Sequence, residues 1–226
     1  MLSVSRAVGR RDGGRRQATR RRVATAAARL FVENGYAATT LQAVADAAGV
    51  HVQTIYQAFG SKVAVLAEAA AVLVAGPQEQ ADTPPPQRAW VKELFAEPDP
   101  TRQLALYARH MRGVVERYMG LLDVMRVTAA ADPEVGTFLA GAERGRYDGP
   151  RHISAVLADG GALQPGVTAE HAADIMYALT TYDVFRSLIQ DRGWSGSDTD
   201  TWIADTLARL LLTPQPARED TDPPRP

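Results

Sequence analysis

The chain has 226 residues, 46% of them hydrophobic and 23% charged, which is ordinary for a globular protein with one large or two small domains. It has no cysteine, and this excludes a disulfide framework, a thiolate nucleophile and any cysteine-ligated zinc or iron–sulfur site. No apolar run approaches the roughly 18 to 20 residues that span a bilayer, and no signal peptide precedes the first arginines, so we expect a cytoplasmic protein without a membrane partner.

The net charge of −1 conceals an asymmetry between the two ends of the chain. Residues 1–62 hold 10 Lys and Arg against 3 Asp and Glu, a balance of +7, whereas the remaining residues hold 15 against 23, a balance of −8. A basic end of this kind is typical of a protein that binds a polyanion. A basic tail that only solubilises the protein is the alternative at this point.

Residues 1–14 are predicted to form a flexible basic arm, because they combine arginines with several glycines. A first helix is predicted from about Arg15, since apolar residues then recur at helical spacing, and Asn34-Gly35 supplies its left-handed C-cap. The folded part of the chain is therefore expected to begin near Arg15.

Two short helices joined by a tight glycine turn follow the first one. Thr40 is the predicted N-cap of the second helix, which Gly49 ends. The third helix is predicted over residues 51–59, and Ser61 caps a fourth. Because two short helices around a tight turn form a helix-turn-helix, residues 15–62 are expected to be a three-helix DNA-binding domain.

Residues 63–213 are predicted to form a second, helical domain, which completes an all-α fold. The prolines at 84–86 indicate a loop, because proline removes a backbone donor and fixes the backbone angle. No alternating strand pattern competes with the four or five helical segments predicted from about Arg88, and their caps include Asp132, Thr168 and either Ser197 or Asp198. The proline-rich tail, 214–226, is expected to be disordered.

The helix-turn-helix region carries a long motif. Residues 35–50 read GYAATTLQAVADAAGV, and Thr54-Ile55-Tyr56, Phe59 and Ser61-Lys62 continue the pattern. In order, spacing and residue type this stretch resembles the DNA-binding domain of the tetracycline-repressor (TetR) family of transcriptional regulators. The resemblance implies an N-terminal helix-turn-helix domain and a C-terminal helical domain that binds a small inducer and dimerises through its last two helices.

Three residues are predicted to bind the phosphate backbone of DNA. Thr40 lies at a helix N-terminus, whose unpaired N–H groups and partial positive charge attract a phosphate. Lys62 lies in the first turn of the fourth helix, where a cation is unfavourable to the helix dipole unless it meets an anion. The resemblance implies phosphate contacts for Tyr56 and Lys62. For Tyr56 the alternative is a half-buried aromatic of the core.

Base readout is predicted for the start of the third helix, because the first turn of a recognition helix enters the major groove. The candidates are His51, Val52, Gln53, Thr54 and Gln57. Gln53 is the main one, since its amide can pair bidentately with adenine, which is worth about 1–3 kcal/mol of discrimination. His51 is either a base reader or a helix cap.

The recognition helix also departs from the family pattern. His51 stands where many members have serine, and Gln53 where many have Gly or Pro. Ala58 replaces a common His or Tyr, which removes one phosphate contact. We therefore expect the arginine-rich arm, together with Arg15 and Arg16, to contribute more to DNA binding than is usual.

A pocket for a small, mainly apolar effector is predicted in the second domain, where polar and aromatic residues interrupt otherwise apolar helices. The candidate residues are Tyr107, His110, Met111, Met125, Arg126, Tyr147, His152 and Tyr177. Taken singly, such residues are more often core or surface groups, and methionines more often fill gaps. No cofactor and no metal site are predicted.

A homodimer interface is predicted on the last two helices, because each of them carries more apolar surface than one small domain needs. The candidate residues are Met176, Thr180, Val184, Trp202, Leu207 and Leu210. Packing against the same pair of helices in a second subunit would bury the excess in an isologous four-helix interface. The alternative is that both faces lie inside the monomer.

The expected function is that of a ligand-responsive repressor that binds a palindromic operator as a homodimer. No enzyme is expected, because the four histidines are scattered and no HExxH, GxSxG or glycine-rich phosphate loop occurs. A helix-turn-helix protein without a small-molecule effector is the other alternative. A sizeable cavity in the second domain would argue against it.

Overall fold

The computed structural model describes residues 3–76, 83–84 and 87–214, with side chains from residue 14 onwards. The described part of the chain forms eleven α-helices and one π-helical turn, without strands apart from an isolated bridge between Leu163 and Leu212. The helices are α1 (Ser3–Asn34), α2 (Leu41–Ala48), α3 (Val52–Phe59), α4 (Lys62–Ala75), α5 (Ala89–Ala96), α6 (Pro100–Ala129), α7 (Pro133–Gly145), α8 (Asp148–Asp159), α9 (Ala169–Leu179), α10 (Tyr182–Arg186) and α11 (Gly196–Leu211). The all-α fold class is confirmed. The predicted tail lies outside the described residues, apart from Pro214.

The first helix begins at Ser3 and not near Arg15. The backbone of residues 3–14 is thus helical, where a flexible arm was predicted. Arginine is a good helix former, whereas a glycine inside a helix costs about 1 kcal/mol relative to alanine. The flexible arm was predicted from the glycines of this stretch. The helix propensity of its arginines favours a helix instead.

The chain divides into two compact units, of which the first is Met1–Glu93 with His110–Arg146 and the second Leu94–Arg109 with Tyr147–Pro226. This division differs from the domain limit expected after residue 62. It does so because α1 packs along α4, and α4 packs on α7, so the fourth helix and part of the following chain belong to the first unit.

The helix-turn-helix is built around a small apolar core in the first unit. Gly49 ends α2 in the left-handed conformation, with φ of 63°, which glycine adopts without the steric cost that a side chain adds. Thr40 and Ser61 cap α2 and α4 as predicted. The fully buried side chains of this core include Ala27, Phe31, Val44, Ala45, Ile55 and Leu66.

In the second unit the helix that was predicted to carry Met176, Thr180 and Val184 together is broken. The hydroxyl of Thr180 donates to the carbonyl of Met176 at 2.7 Å, and the Thr181 hydroxyl accepts from the backbone N–H of Val184 at 3.3 Å, which starts α10. Threonine side chains compete in this way with the backbone hydrogen bonds of a helix. A π-helical turn, Ser187–Asp191, follows α10.

Two further predictions, on the number of helices and on one N-cap, are corrected. Seven α-helices lie within the described residues 89–214, where four or five were predicted, because short breaks near residue 147 and at Thr180 divide longer apolar patterns. The N-cap of α11 is Ser195, and neither Ser197 nor Asp198, since the Ser195 hydroxyl accepts from the backbone N–H of Asp198 at 3.0 Å. The caps predicted at Asp132 and Thr168 are confirmed.

Candidate nucleic-acid interface

The third helix presents a polar face to solvent. Ile55 is fully buried and fixes the opposite face in the core. The exposed residues are His51, Gln53, Tyr56 and Gln57, and Val52 and Thr54 are half-buried. The predicted reading residues therefore lie on one accessible surface, with Gln53 and Gln57 the most suitable for pairing with base edges.

His51 occupies the N-cap position of α3 through its backbone, which is extended there. Its side chain makes no capping hydrogen bond. The backbone of His51 is thus the N-cap of α3, while its exposed imidazole is available for other contacts.

The N-terminus of α2 is organised to receive an anion. Thr40 is exposed, and its hydroxyl oxygen accepts a hydrogen bond from the backbone N–H of Ala43 at 3.1 Å. The hydroxyl proton can still be donated, and the helix end adds its partial positive charge. A phosphate can therefore bind at this end.

Lys62 is held against the segment that joins α1 to α2. Its Nζ lies 4.3 Å from the centroid of the Tyr36 ring and donates to the carbonyl of Ala37 at 3.4 Å. Burial lowers the pKa of Lys62, and Asp132 opposes this shift. Because an ammonium has three donors, Lys62 keeps donors for a phosphate while this segment fixes its position.

Tyr36 is itself a buried residue that supports Lys62. Its ring packs on Phe31 with centroids 5.4 Å apart. Burial raises the pKa of Tyr36 to about 12, and the negative charges of Asp132 and Glu134 add to the shift. The hydroxyl therefore stays protonated at neutral pH, and Tyr36 offers Lys62 a neutral aromatic face.

Tyr56 is half exposed, with 50% of its surface accessible, and its phenol hydroxyl makes no hydrogen bond with the rest of the described chain. This exposure exceeds what an aromatic of the core would show. The phenol is thus available to donate to a phosphate, and its contact with DNA stays a prediction.

Arg20 of α1 contacts both α3 and α4. Its Nη1 donates to the carbonyl of Ala58 at 2.7 Å, its other terminal nitrogen pairs with the carboxylate of Glu68, and its guanidinium carbon lies 4.4 Å from the centroid of the Phe59 ring. A cation is favourable at a helix C-terminus and over an aromatic face. Arg20 therefore fixes the end of α3 to α1 and α4.

This role of Arg20 was not predicted from the sequence. The partners lie 38 and 48 residues further along the chain, so no local spacing indicates the contact. The only available signal was the cluster of arginines at residues 20–22, which fits a general basic end equally well.

A basic groove of about 510 Å³ runs beside the recognition helix. Residues of α1 form one side and residues of α3 the other, and the lining consists of Arg15, Arg16, Thr19, Arg20, Thr54, Gln57 and Ala58. Arg15 and Arg16 are exposed. The structure thus brings these two predicted DNA-binding arginines together with Thr54 and Gln57.

The predicted effector residues of the first unit have different environments. His110 is half-buried and stacks on Trp90, with ring centroids 3.6 Å apart and planes 13° apart. Met125 is fully buried, Met111 is half-buried and Arg126 is exposed.

The remaining four predicted effector residues belong to the second unit. Tyr107 is buried, and its hydroxyl lies 3.3 Å from that of Thr180. The Tyr147 hydroxyl donates to Asp174 at 2.9 Å, and its ring lies edge-on to Tyr177 at 5.6 Å. His152 is exposed. The eight residues therefore form two sets, one in each unit, and their contact with a ligand stays a prediction.

The predicted dimer residues divide by burial. Met176, Thr180 and Leu207 have no accessible surface within the single chain, so they cannot contact a second subunit in this conformation, and this part of the prediction is corrected. They fill the core of the second unit because α9 packs on both α8 and α11. Trp202 and Leu210 are 38% and 43% exposed, and Val184 is half-buried. These three stay candidates for an interface.

Within the part of the chain that the structure describes, no group of three or more His, Asp or Glu side chains could hold a metal ion. No single helix there is long and apolar enough to cross a membrane. The bent pair α3 and α4 meets that test only as a pair, by length and composition.

Comparison with known proteins agrees with this geometry. Residues 24–69 match the sequence model of the family described as bacterial regulatory proteins, tetR family. No curated protein sequence matches the chain.

Three solved structures illustrate the likeness in fold. A TetR-family transcriptional regulator from Rhodococcus sp. is 18% identical, with a TM-score of 0.66 over 86% of this chain and 99% of that one. NalD of Pseudomonas aeruginosa, a secondary repressor of the MexAB-OprM multidrug efflux pump, is 21% identical, with a TM-score of 0.61 over 87% and 98%. FadR of Bacillus subtilis, solved with stearoyl-CoA, is 16% identical, with a TM-score of 0.64 over 84% and 97%.

The resemblance of the sequence motif is thus confirmed. Residues 24–69 form a helix-turn-helix domain that matches the bacterial tetR regulatory family, and the described part of the chain has the fold of TetR-family transcriptional regulators.

Proposed function

We propose that the protein is a DNA-binding transcriptional regulator, and more specifically a cytoplasmic, ligand-responsive repressor that binds a palindromic operator as a homodimer. The observation that carries the proposal is the exposed polar face of α3, with Gln53 and Gln57 in solvent and Ile55 buried behind them. Glutamine amides on a recognition helix can pair with adenine in the major groove.

Positively charged and hydroxyl groups around this face support the same function. Thr40, Tyr56 and Lys62 are suited to phosphate contacts on one side, and Arg15 and Arg16 line the groove on the other. Phosphate contacts position a protein on the duplex, whereas base contacts specify the sequence. The arrangement provides both kinds of group on one domain.

The repressor role and the ligand response rest on similarity and on one structural argument. NalD is a repressor, and FadR was solved with stearoyl-CoA, a ligand with a long apolar chain. A ligand can change operator binding only if it binds the DNA-competent and the DNA-incompetent conformation with different affinities. Helix α4 is proposed to transmit the effect of the ligand to the DNA-binding surface. Lys62 is its first residue, and the helix extends from there to Ala75. A coupling of about 1–3 kcal/mol would weaken operator binding roughly 5- to 150-fold.

The proposal is tested by selecting duplexes from a random library with the full chain. A palindromic motif is expected, with half-sites about 34–36 Å apart, as a dimer with one helix-turn-helix per subunit requires. Sedimentation with the selected duplex should give two chains per site. Binding that enriches no motif, or a single half-site bound by a monomer, would contradict the proposal.

A further inference from the structure

A cluster of four side chains in the first unit has a chemistry that the DNA-binding surface does not use. Trp90 of α5 stacks on His110 of α6, with ring centroids 3.6 Å apart. Arg88 precedes α5, and Arg117 lies two turns after His110 on α6. Both guanidinium groups are close enough to His110 to lower its pKa. We call these four residues the Trp90–His110 cluster.

The two arginines have hydrogen-bond donors to spare. Arg117 Nε donates to the carbonyl of Leu73 at 2.9 Å, and Arg88 Nε donates to the carbonyl of Thr83 at 3.2 Å. Neither forms an ion pair with any carboxylate of the described residues. Glu116, which acts electrostatically on Arg117, is bonded to Arg112 at 2.6 Å. Since a guanidinium has five N–H donors, several remain on each arginine.

The ring pair adds a donor and no charge. Burial lowers the pKa of His110 to about 4, and the nearby Arg117 and Arg88 contribute, so the imidazole is neutral at pH 7. The indole N–H of Trp90 is inaccessible to solvent and has no acceptor among the described residues. A buried donor without an acceptor destabilises the folded state. The four side chains thus carry the positive charges of the two arginines and no negative charge.

The backbone around Arg117 leaves room for its guanidinium. A Cβ atom at Gly76 would lie 3.1 Å from Arg117 Nη2, and one at Gly113 would lie 3.1 Å from Nη1. The absence of side chains at these two glycines therefore leaves room for the guanidinium of Arg117, which is exposed. A planar guanidinium is suited to bidentate contact with a carboxylate or phosphate.

We propose that the Trp90–His110 cluster binds the oxyanion, a carboxylate or a phosphate, of a small organic molecule. Such a group brings the negative charge that the cluster lacks, and its oxygens can accept from the remaining N–H groups of Arg88 and Arg117. The inference deepens the proposed ligand response and rests on it for its consequence. Arg117 donates to the carbonyl of Leu73 in α4, and Lys62 is the first residue of that helix. An anion bound at Arg117 therefore acts next to the helix that is proposed to transmit the ligand response.

Binding is measured without DNA on the full chain carrying Trp194→Phe and Trp202→Phe, so that Trp90 is the one tryptophan and its fluorescence reports the site. The probes are octanoate, octyl phosphate, inorganic phosphate and the neutral octanamide, each up to about 10 mM, where a site of millimolar affinity fills. Octanoate or octyl phosphate should change the fluorescence saturably, and octanamide should not. A response to inorganic phosphate alone would assign the site to free phosphate and overturn the organic ligand.

Variants assign the response to the arginines. Arg117→Gln and Arg88→Gln should each weaken binding about tenfold or more, since each removes charge-assisted hydrogen bonds. Arg109→Gln, an exposed arginine on the same helix, is the matched control and should leave the affinity unchanged. Circular dichroism establishes that all three fold.

Further outcomes also overturn the proposal. One is equal responses to octanoate and octanamide, or no response to any probe. Another is an equal loss of affinity in Arg109→Gln and Arg117→Gln. Loss of DNA binding alone would instead count against the proposed function and leave these titrations unaffected.

Discussion

The Nη1 of Arg20 donates a hydrogen bond of 2.7 Å to the carbonyl of Ala58, the residue before the end of the recognition helix. The same side chain pairs with Glu68 and covers the ring of Phe59. Arg20 is thus a positioning residue that sets where α3 lies relative to α1 and α4.

Arg20→Ala should weaken binding to the selected duplex at least tenfold, because the reading face loses its fixed position. The free energy of unfolding should fall by only about 1–2 kcal/mol, since the ion pair is partly exposed. Anisotropy titrations and chemical denaturation measure the two effects. Arg22→Ala, which removes the same charge from an exposed site on the same helix, is the control. Equal effects of the two substitutions would show that only net charge matters.

The stability of the protein should depend on His110 in mildly acidic solution. Its folded pKa, about 4, lies below the unfolded value of 6.5, so the unfolded chain binds more protons between these pH values. The contribution is complete above pH 6.5 and is lost as the pH falls towards 4, with a slope of at most about 1.4 kcal/mol per pH unit.

Urea denaturation at pH 7, 6 and 5 measures this dependence. His110→Gln should flatten it, and His152→Gln, at an exposed histidine, should not change it. A wild-type profile that His110→Gln leaves unaltered would contradict the proposed neutral state of His110.

The exposed apolar residues of α11 should hold the dimer together. Trp202→Asp and Leu210→Asp should shift the protein towards monomer in sedimentation equilibrium, because each places an unpaired charge in an apolar interface. Val156→Asp, at a similarly exposed valine of the same unit, is the control. Dimers that survive both α11 substitutions would place the interface elsewhere.

The arginines of the basic groove should contribute through counterion release. The double variant Arg15→Gln, Arg16→Gln should reduce the slope of log affinity against log salt by about 0.9 for each phosphate that the protein no longer neutralises. The measurement is a titration of one selected duplex at several salt concentrations. A slope equal to that of the wild type would show that neither arginine meets a phosphate.

Local features of the fold could be predicted from the sequence. The caps at Thr40, Ser61, Asp132 and Thr168 follow from side chains that bond to N–H groups two or three residues away. The apolar spacing of α3 predicted that Val52, Ile55 and Phe59 would be buried; Ile55 is fully buried, whereas Val52 and Phe59 are half-buried. These properties depend on neighbours in the chain.

Long-range contacts could not be predicted in this way. The Arg20 contacts to Ala58 and Glu68, and the stacking of Trp90 on His110, join residues that no periodicity relates. The dimer prediction placed Met176 and Leu207 on the surface, since an apolar helix face does not indicate whether its partner lies in the same chain or another. The break at Thr180 depends on the hydroxyls of two adjacent threonines, and the spacing of apolar residues does not indicate it.

The central claim is that α3 reads a DNA sequence through Gln53 while Lys62 and its neighbours anchor the domain. Duplex selection with Gln53→Ala tests it most directly, with Lys62→Met as the anchoring variant. Gln53→Ala should select a motif relaxed at one base pair in each half-site, a loss of about 1–3 kcal/mol of discrimination there. Lys62→Met should weaken binding to all duplexes alike and leave the motif unchanged. A motif that Gln53→Ala leaves identical to that of the wild type would contradict the reading role of Gln53.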